Sequence, residues 1–295
     1  MNSNASQSSS IPSLEDLLNL EQLDLNLFRS RVSQRNINGS LYGGQILGQG
    51  LRAAAMTVEG RRPHSLHGYF LLPGSLDMPV IYDVELTRDG GSFSTRRVVA
   101  RQKARTIFSM EVSFHREESG FEHEHLFDID VPEPEELLNM PQIAAQFADR
   151  LPPDAARRMS HKTLIETRVV NFEDFYLRRA QTSRGLYWIR VLSAISGDEV
   201  TQMAGLAYLS DWGLAAVATQ QHVMTGMNSD VMLASLDHAL WFHHPARLDD
   251  WLLVEVDSPF ATGGRGLLRG QIYDRQRKLV ASVSQEALIR PVKPR

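Results

Sequence analysis

Twice in this chain a helix-periodic segment built from small residues is followed by a long run of period-two alternation. In the first copy, Gly43-Gly44-Gln45-Ile46-Leu47-Gly48-Gln49-Gly50-Leu51-Arg52-Ala53-Ala54-Ala55-Met56 sets Ile46, Leu47, Leu51, Ala54 and Ala55 at helical spacing. Its glycines and alanines imply close packing against a neighbouring surface. Val80–Arg88, Phe93–Gln102 and Arg105–His115 then read as strands; Phe108, Met110, Val112 and Phe114 alternate with Ser109, Glu111 and Ser113. Asp89-Gly90-Gly91 is a hairpin turn signal between two of them. In the second copy, Gln202–Gln220 reads as a helix, Val231–His243 as extended, and Leu252–Ile289 as an antiparallel meander turning at Gly263-Gly264. The two meanders align at an offset of 173, with Gly90-Gly91 on Gly263-Gly264, Arg96 on Arg269 and Ser109 on Ser282. The preceding strands align at an offset of 170, Ser65-Leu66 on Ser235-Leu236. An α+β chain made of two copies of one helix-plus-sheet unit is therefore expected.

Around these copies the organisation is simple. Residues 1–12, polar and Ser/Asn-rich without a basic or apolar leader pattern, read as a disordered tail. Ser13 caps a short helix at Leu14–Leu18, and Leu27–Val32, Arg168–Asp174 and Tyr187–Leu192 read as strands. The first unit spans 13–120 and the second 166–295. Between them, 121–165 is punctuated by Pro132, Pro134, Pro141, Pro152 and Pro153 and reads as a linker with short helices. No window holds 18 apolar residues, so no membrane span is expected, and Pro291–Arg295 carries no retention or peroxisomal signal. A formal net charge of −4 argues against a nucleic-acid partner. The absence of cysteine removes disulfides, thiolate zinc sites, Fe–S clusters and cysteine nucleophiles, and leans towards a reducing compartment. A soluble cytoplasmic protein is the expectation.

Polar residues interrupt three apolar stripes. Gln285 breaks the face formed by Leu279, Ala281, Val283, Ala287 and Ile289. Asp211 sits on the stripe of Ala204, Ala207, Leu214 and Ala218, and Ser235 and Asp237 share a face with Val231, Leu233, Ala239 and Trp241. A buried unpartnered carboxylate costs several kcal/mol, roughly, or takes up a proton. If the stripes pack together, Asp211, Ser235 and Gln285 can satisfy one another. Each has an ordinary alternative: a serine is tolerated in strands, a glutamine at a strand end reaches solvent, and Asp211, before Trp212-Gly213, can lie at a helix end. The histidines form no metal set: His64 and His67 point to opposite faces, His123 and His125 lie in linker text, and His243-His244 precede a proline. Gly263-Gly264-Arg265-Gly266 joins strands instead of opening a helix, and no G-x-S-x-G elbow is present.

The chain resembles the acyl-CoA thioesterase II family, a double hot-dog fold, over about Leu14 to Pro291. The resemblance is carried by Tyr42-Gly43-Gly44-Gln45, by His64-Ser65-Leu66-His67-Gly68-Tyr69-Phe70-Leu71-Leu72-Pro73-Gly74 and by Tyr82-Asp83-Val84-Glu85. It continues through Arg88–Arg97, Gly120-Phe121-Glu122-His123 and Leu236-Asp237-His238-Ala239-Leu240-Trp241-Phe242-His243. It implies an antiparallel sheet wrapped on one long helix per unit, and hydrolysis of fatty acyl-CoA to free acid and coenzyme A. By motif match the family's catalytic Asp, hydroxyl and Gln fall on Asp211, Ser235 and Gln285; close relatives often carry Thr in place of this serine. The first unit has Val112 where the second has Gln285, and lacks an equivalent set. His64 ranks below these three as a packing or substrate-positioning residue, and Arg96, Arg97, Arg265 and Arg269 are candidates for the CoA phosphates, with a solvated sheet face as the ordinary alternative. The resemblance also implies a homo-oligomer, dimer or tetramer. Two other classes fit such a fold: an acyl-CoA hydratase or dehydratase, which pairs Asp with His, and a non-catalytic acyl-CoA sensor. A thioester needs no metal for attack by an oriented water, so no cofactor is expected. Dialysis against a chelator should leave thioester hydrolysis unchanged; a loss restored by a divalent ion would overturn that mechanism.

Overall fold

The computed structural model describes residues 11–125, 127–151, 153–176, 182–222 and 231–292; apart from Ile11 and Pro12, the expected tail lies outside the described residues. The first half runs α1 (Leu14–Leu18), β1 (Leu20–Asp24), β2 (Leu27–Ser30), α2 (Gly43–Ala55), β3 (Arg62–Phe70), β4 (Ile81–Asp89), β5 (Phe93–Gln102) and β6 (Arg105–His115). After a 3-10 turn at Pro134–Glu136 come α3 (Met140–Gln146), α4 (Pro153–Met159), β7 (Ile165–Val169), α5 (Phe172–Tyr176) and β8 (Arg184–Val191). The chain continues through α6 (Glu199–Ser210), α7 (Leu214–Val217), β9 (Val231–Ser235), β10 (Asp237–Phe242), β11 (Leu252–Thr262), β12 (Arg265–Tyr273) and β13 (Leu279–Pro291).

All described strands belong to one antiparallel sheet, in the order β1-β2-β4-β5-β6-β3-β10-β13-β12-β11-β8-β7, with β9 beside β13. The halves meet where β3 pairs with β10, Leu66 opposite Leu240. Alternation along each strand sends one set of side chains inward: Val98, Met110, Val112 and Phe114 in the first half, and Val254, Leu268 and Val283 in the second, all buried. This is the expected double hot-dog, with α2 and α6 as its two central helices.

Those helices lie antiparallel and touch through backbone. A Cβ on Gly48 would come within 2.7 Å of the Ala204 carbonyl oxygen, and one on Gly44 would overlap the Tyr208 carbonyl. Two buried glutamines on α2 tie it to its own half. Gln45 accepts from the Gln34 N–H (2.6 Å) and donates to the Val32 carbonyl (2.7 Å); Gln49 donates to the Leu17 carbonyl and accepts from the Tyr82 hydroxyl (2.7 Å). At the far end of the pair, Arg52 on α2 bonds Asp198, the residue that caps the N-terminus of α6.

Three boundaries differ from expectation. The helix expected over Gln202–Gln220 is broken: α6 ends at Ser210, Asp211 is its C-cap, and Gly213 at φ +80° restarts the chain as α7. The strand expected over Arg168–Asp174 ends at Val169, after which Asn171 accepts from the Asp174 N–H and starts α5. The extended segment Val231–His243 is two strands separated at Leu236. The linker text is not a free tether. The Trp188 indole donates to the Pro132 carbonyl (3.0 Å), and Arg277 lies over the rings of Trp188 and Phe127.

Replacing Gly48 by Ala tests the helix contact. Helix propensity alone favours alanine by about 1 kcal/mol, yet overpacking against the Ala204 backbone costs about 1–3 kcal/mol. Gly48→Ala should therefore lower the urea midpoint; an unchanged or raised midpoint would show that the helices can separate without loss.

Candidate functional site

The antiparallel packing of α2 and α6 brings the first turn of one helix to the last turn of the other. Asp211, at the C-cap of α6, therefore lies against Gly43 and Gly44 at the start of α2. A Cβ on Gly43 would come within 2.7 Å of Asp211 Oδ2 and 3.1 Å of the Phe70 ring. At the C-terminus of its own helix a carboxylate faces the negative end of the dipole, whereas the N-terminus of α2 offers N–H groups and the positive end. The Gly44 N–H donates to Asp211. Tyr42, the residue before α2, donates its hydroxyl to the Tyr208 carbonyl (3.1 Å), satisfying one of the acceptors left open in the last turn of α6. The Tyr42 ring stands edge-on to Tyr208 and Trp212, and Tyr187 donates to the Trp212 carbonyl (2.7 Å).

Two strands complete the site. Ser235, the last residue of β9, donates its hydroxyl to Asp211 Oδ1 (3.1 Å). Gln285 of β13, 1% exposed, donates its amide Nε2 to Ser235 Oγ (2.8 Å) and also hydrogen-bonds Asp211. The aromatic surroundings and burial push the Asp211 carboxyl up from 3.8 to about 7, against the opposing pull of the Ser235 hydroxyl, the Gly44 N–H and the Gln285 amide. A carboxylate poised near neutrality and held by three donors suits a general base. The site is shared by both halves: the carboxylate, hydroxyl and amide come from the second, and the helix N-terminus that faces them from the first.

A buried histidine joins the set, and sequence periodicity missed it. His238 is 1% exposed; its Nδ1 lies 2.7 Å from Gln285 Oε1, and its Nε2 lies 2.9 Å from Ser210 Oγ. Strict alternation puts Ser235, Asp237, Ala239 and Trp241 on one face, and the structure corrects this. Ser235 pairs with Ala287 and Ala239 with Ser284, so the three residues Leu236, Asp237 and His238 face only Gln285 and Glu286. This β-bulge shifts the alternation by one residue, turning His238 and Leu240 inward and Asp237 outward. Asp237 Oδ1 accepts from the Glu286 N–H (2.6 Å), the Leu236 N–H donates to the Glu286 carbonyl, and the Phe70 N–H donates to the Leu236 carbonyl. The bulge is thus held from both flanking strands.

The remaining sequence candidates do not converge on Asp211. Arg96 is corrected: it is 2% exposed, and its guanidinium bonds Asp89, the Thr57 hydroxyl and carbonyl, and the Arg88 carbonyl. It fills the space beyond the C-terminus of α2, where a cation is favoured, and presents nothing to a substrate at Asp211. Arg97 is exposed on the outer face near Glu85, and Arg265 bonds Glu286 (2.9 Å) on the face opposite Gln285. Arg269 bonds Asp257. His64 bonds Ser113 (2.8 Å) beside Phe93 and His115, six residues and roughly 20 Å along β3 from Phe70. Burial lowers its pKa. No group of three or more metal-ligating side chains occurs among the described residues, and none of their helices is long and apolar enough to cross a membrane.

The sequence matches two family models, the acyl-CoA thioesterase N-terminal domain over residues 32–115 and the acyl-CoA thioesterase C-terminal domain over residues 134–289. It is 37% identical to human acyl-coenzyme A thioesterase 8, over 94% of this chain and 88% of that protein. It is 33% identical to acyl-CoA thioesterase 2 of Haemophilus influenzae, over 93% and 96% of the two chains. Among solved structures, the acyl-CoA thioesterase II TesB2 of Mycobacterium marinum superposes with a TM-score of 0.78 at 36% identity, covering 95% of this chain and 99% of that one. A hot-dog protein from Alicyclobacillus acidocaldarius, 18% identical, shares the fold at a TM-score of 0.74. With two matching domains in order and full-length relatives, the chain belongs to the acyl-CoA thioesterase family.

Proposed function

We propose that this protein hydrolyses fatty acyl-CoA to free fatty acid and coenzyme A by direct attack of a water that Asp211, Ser235 and Gln285 hold. We read the chain as two hot-dog units, 13–120 and 166–295, joined by 121–165, with the cytoplasm as the place of the reaction. The observation that carries the mechanism is the continuous bonding of Gln285 to Ser235 and of Ser235 to Asp211, around a carboxyl whose pKa lies at about 7.

In this reading ionised Asp211 accepts a proton from the water while the water oxygen attacks the thioester carbonyl carbon. Ser235 and Gln285 orient that oxygen. The first turn of α2 lies beside the same space and supplies N–H donors to the tetrahedral oxyanion. The C–S bond then breaks, and the proton held on Asp211 passes to the departing sulfur, leaving a carboxylic acid and a thiol. A thiolate leaves readily, so no covalent acyl-enzyme is required. Serine keeps the hydroxyl this scheme needs; threonine would add a methyl that restrains χ1.

Two kinetic tests follow, both reading thiol release from medium- and long-chain acyl-CoA. Asp211→Asn keeps the shape and removes the base, so kcat should fall by about 100-fold or more with KM little changed. Turnover at the parent rate by a normally folded variant would remove Asp211 from the mechanism. Ser235→Thr should stay within about tenfold of the parent while Ser235→Ala loses more; equal performance of Ala and Ser would make this residue structural.

The pH dependence has a definite sign. The base must be ionised, so kcat/KM should rise with pH through about 7. Folding raises the Asp211 pKa above its unfolded value. Its contribution to stability is therefore fully present below about pH 4 and lost as pH climbs through about 7. Asp211→Asn should melt at or above the parent at pH 8, and its advantage should shrink at pH 5. A variant less stable than the parent at pH 8 would show that the ionised carboxylate stabilises the fold.

A further inference from the structure

We propose that His238 is a positioning residue: by donating its Nδ1–H to Gln285 Oε1, it holds the Gln285 amide with its NH2 group towards Asp211 and Ser235. The inference rests on the Asp211–Ser235–Gln285 reading and assigns what fixes one of its members.

The Gln285 amide has two ends, and at the inner end its nitrogen bonds Ser235 Oγ (2.8 Å) and Asp211. Its oxygen is thereby turned towards His238 Nδ1 at 2.7 Å, and an amide oxygen only accepts. Burial lowers the His238 pKa to about 4, so the ring is neutral at pH 7 and carries a single N–H. Placed on Nδ1, that proton meets Gln285 Oε1. Nε2 is then an acceptor, and it faces Ser210 Oγ at 2.9 Å. The Ser210 hydroxyl donates to the Ala207 carbonyl (2.8 Å) and shares that proton with Nε2 in a three-centre bond.

The other tautomer breaks this chain. A proton on Nε2 would set two lone pairs, on Nδ1 and Oε1, against each other at 2.7 Å. Relief would come from rotating the amide by half a turn, which presents its oxygen to the Asp211 carboxylate. The orientation at the catalytic end is thus coupled to the tautomer at the far end. The coupling matters most after proton transfer. Asp211 is then a neutral acid, and its pull on the Gln285 NH2 weakens. The His238 bond does not involve Asp211, so it persists through that step.

Geometry sets His238 apart from an ordinary core histidine. Ser235 and His238, three residues apart, would occupy opposite faces of a regular strand. The bulge at Leu236 brings both onto the face that meets Gln285.

Steady-state kinetics with an acyl-CoA substrate, combined with a double-mutant cycle, test the proposal. His238→Leu should lower kcat about tenfold or more, with KM within about threefold, as loss of one buried orienting bond predicts. His238→Asn places an amide N–H near the position of Nδ1 and should recover most of that loss. In a Gln285→Ala background His238→Leu should cost less than about twofold, because its effect runs through Gln285. An equal loss in both backgrounds, or Asn performing no better than Leu, would overturn the proposal. Parent-like activity of Gln285→Ala itself would instead overturn the catalytic reading on which it rests. If His238→Leu fails to fold, ring-nitrogen NMR of the 15N-histidine-labelled parent protein decides: a neutral His238 protonated on Nδ1 at pH 7 supports the proposal, and protonation on Nε2 overturns it.

Discussion

The backbone contact between α2 and α6 is the constraint on which the rest of the molecule depends. Gly48 against Ala204 and Gly44 against Tyr208 leave no room for a side chain between the helices. The consequence is electrostatic as well as steric. Antiparallel helices at this separation set the positive end of each beside the negative end of the other. A larger residue at either glycine would move the start of α2 away from Asp211 and leave that carboxylate at the negative terminus of its own helix. Close packing of small residues, usually counted as a stability device, here also builds the electrostatics of the site.

At Asp211 two opposing effects of similar reach meet. Burial among Phe70, Tyr42 and Trp212 disfavours the charge, while the Gly44 N–H, the Ser235 hydroxyl and the Gln285 amide favour it. Burial wins, and the carboxyl ends near neutrality, where it can both accept and return a proton. The other end of the helix pair shows the same architecture without this chemistry. There the C-cap of α2 is Met56, and Val112 occupies the position that Gln285 fills in the second half. The guanidinium of Arg96 closes the helix end by bonding the Thr57 carbonyl. The two pseudo-equivalent ends therefore differ, one closed by Arg96 paired with a half-exposed Asp89 and the other holding a carboxyl poised near neutrality.

Much of this was legible in the residues. The small-residue stripes announced a close contact without saying that its partner is the other helix, and the turn signals at Gly90-Gly91 and Gly263-Gly264 placed the hairpins. Asp211, Ser235 and Gln285 stood out as polar breaks in apolar faces, and the structure brings these three together. His238 stayed hidden because its visibility depends on a bulge. A period-two reading carried across Leu236 assigns it to the outer face, and nothing in Leu236-Asp237 alone signals an extra residue. Arg96 misled for a related reason. An arginine on a strand looks like a surface cation until Asp89 and the end of α2 are seen to enclose it.

The sequence by itself determined the repeat, the alternation that closes a sheet on each helix, and the polar residues Asp211, Ser235 and Gln285 that break the apolar faces. These follow from local periodicity and side-chain chemistry, which neighbouring residues carry with them. The tertiary structure alone decided that the start of α2 meets the end of α6, that Asp211 is a C-cap instead of a stripe residue, and that His238 turns inward. Each of these outcomes depends on a register between segments distant in the chain. A register is set by the summed fit of two packed surfaces, and no single stretch of sequence contains both.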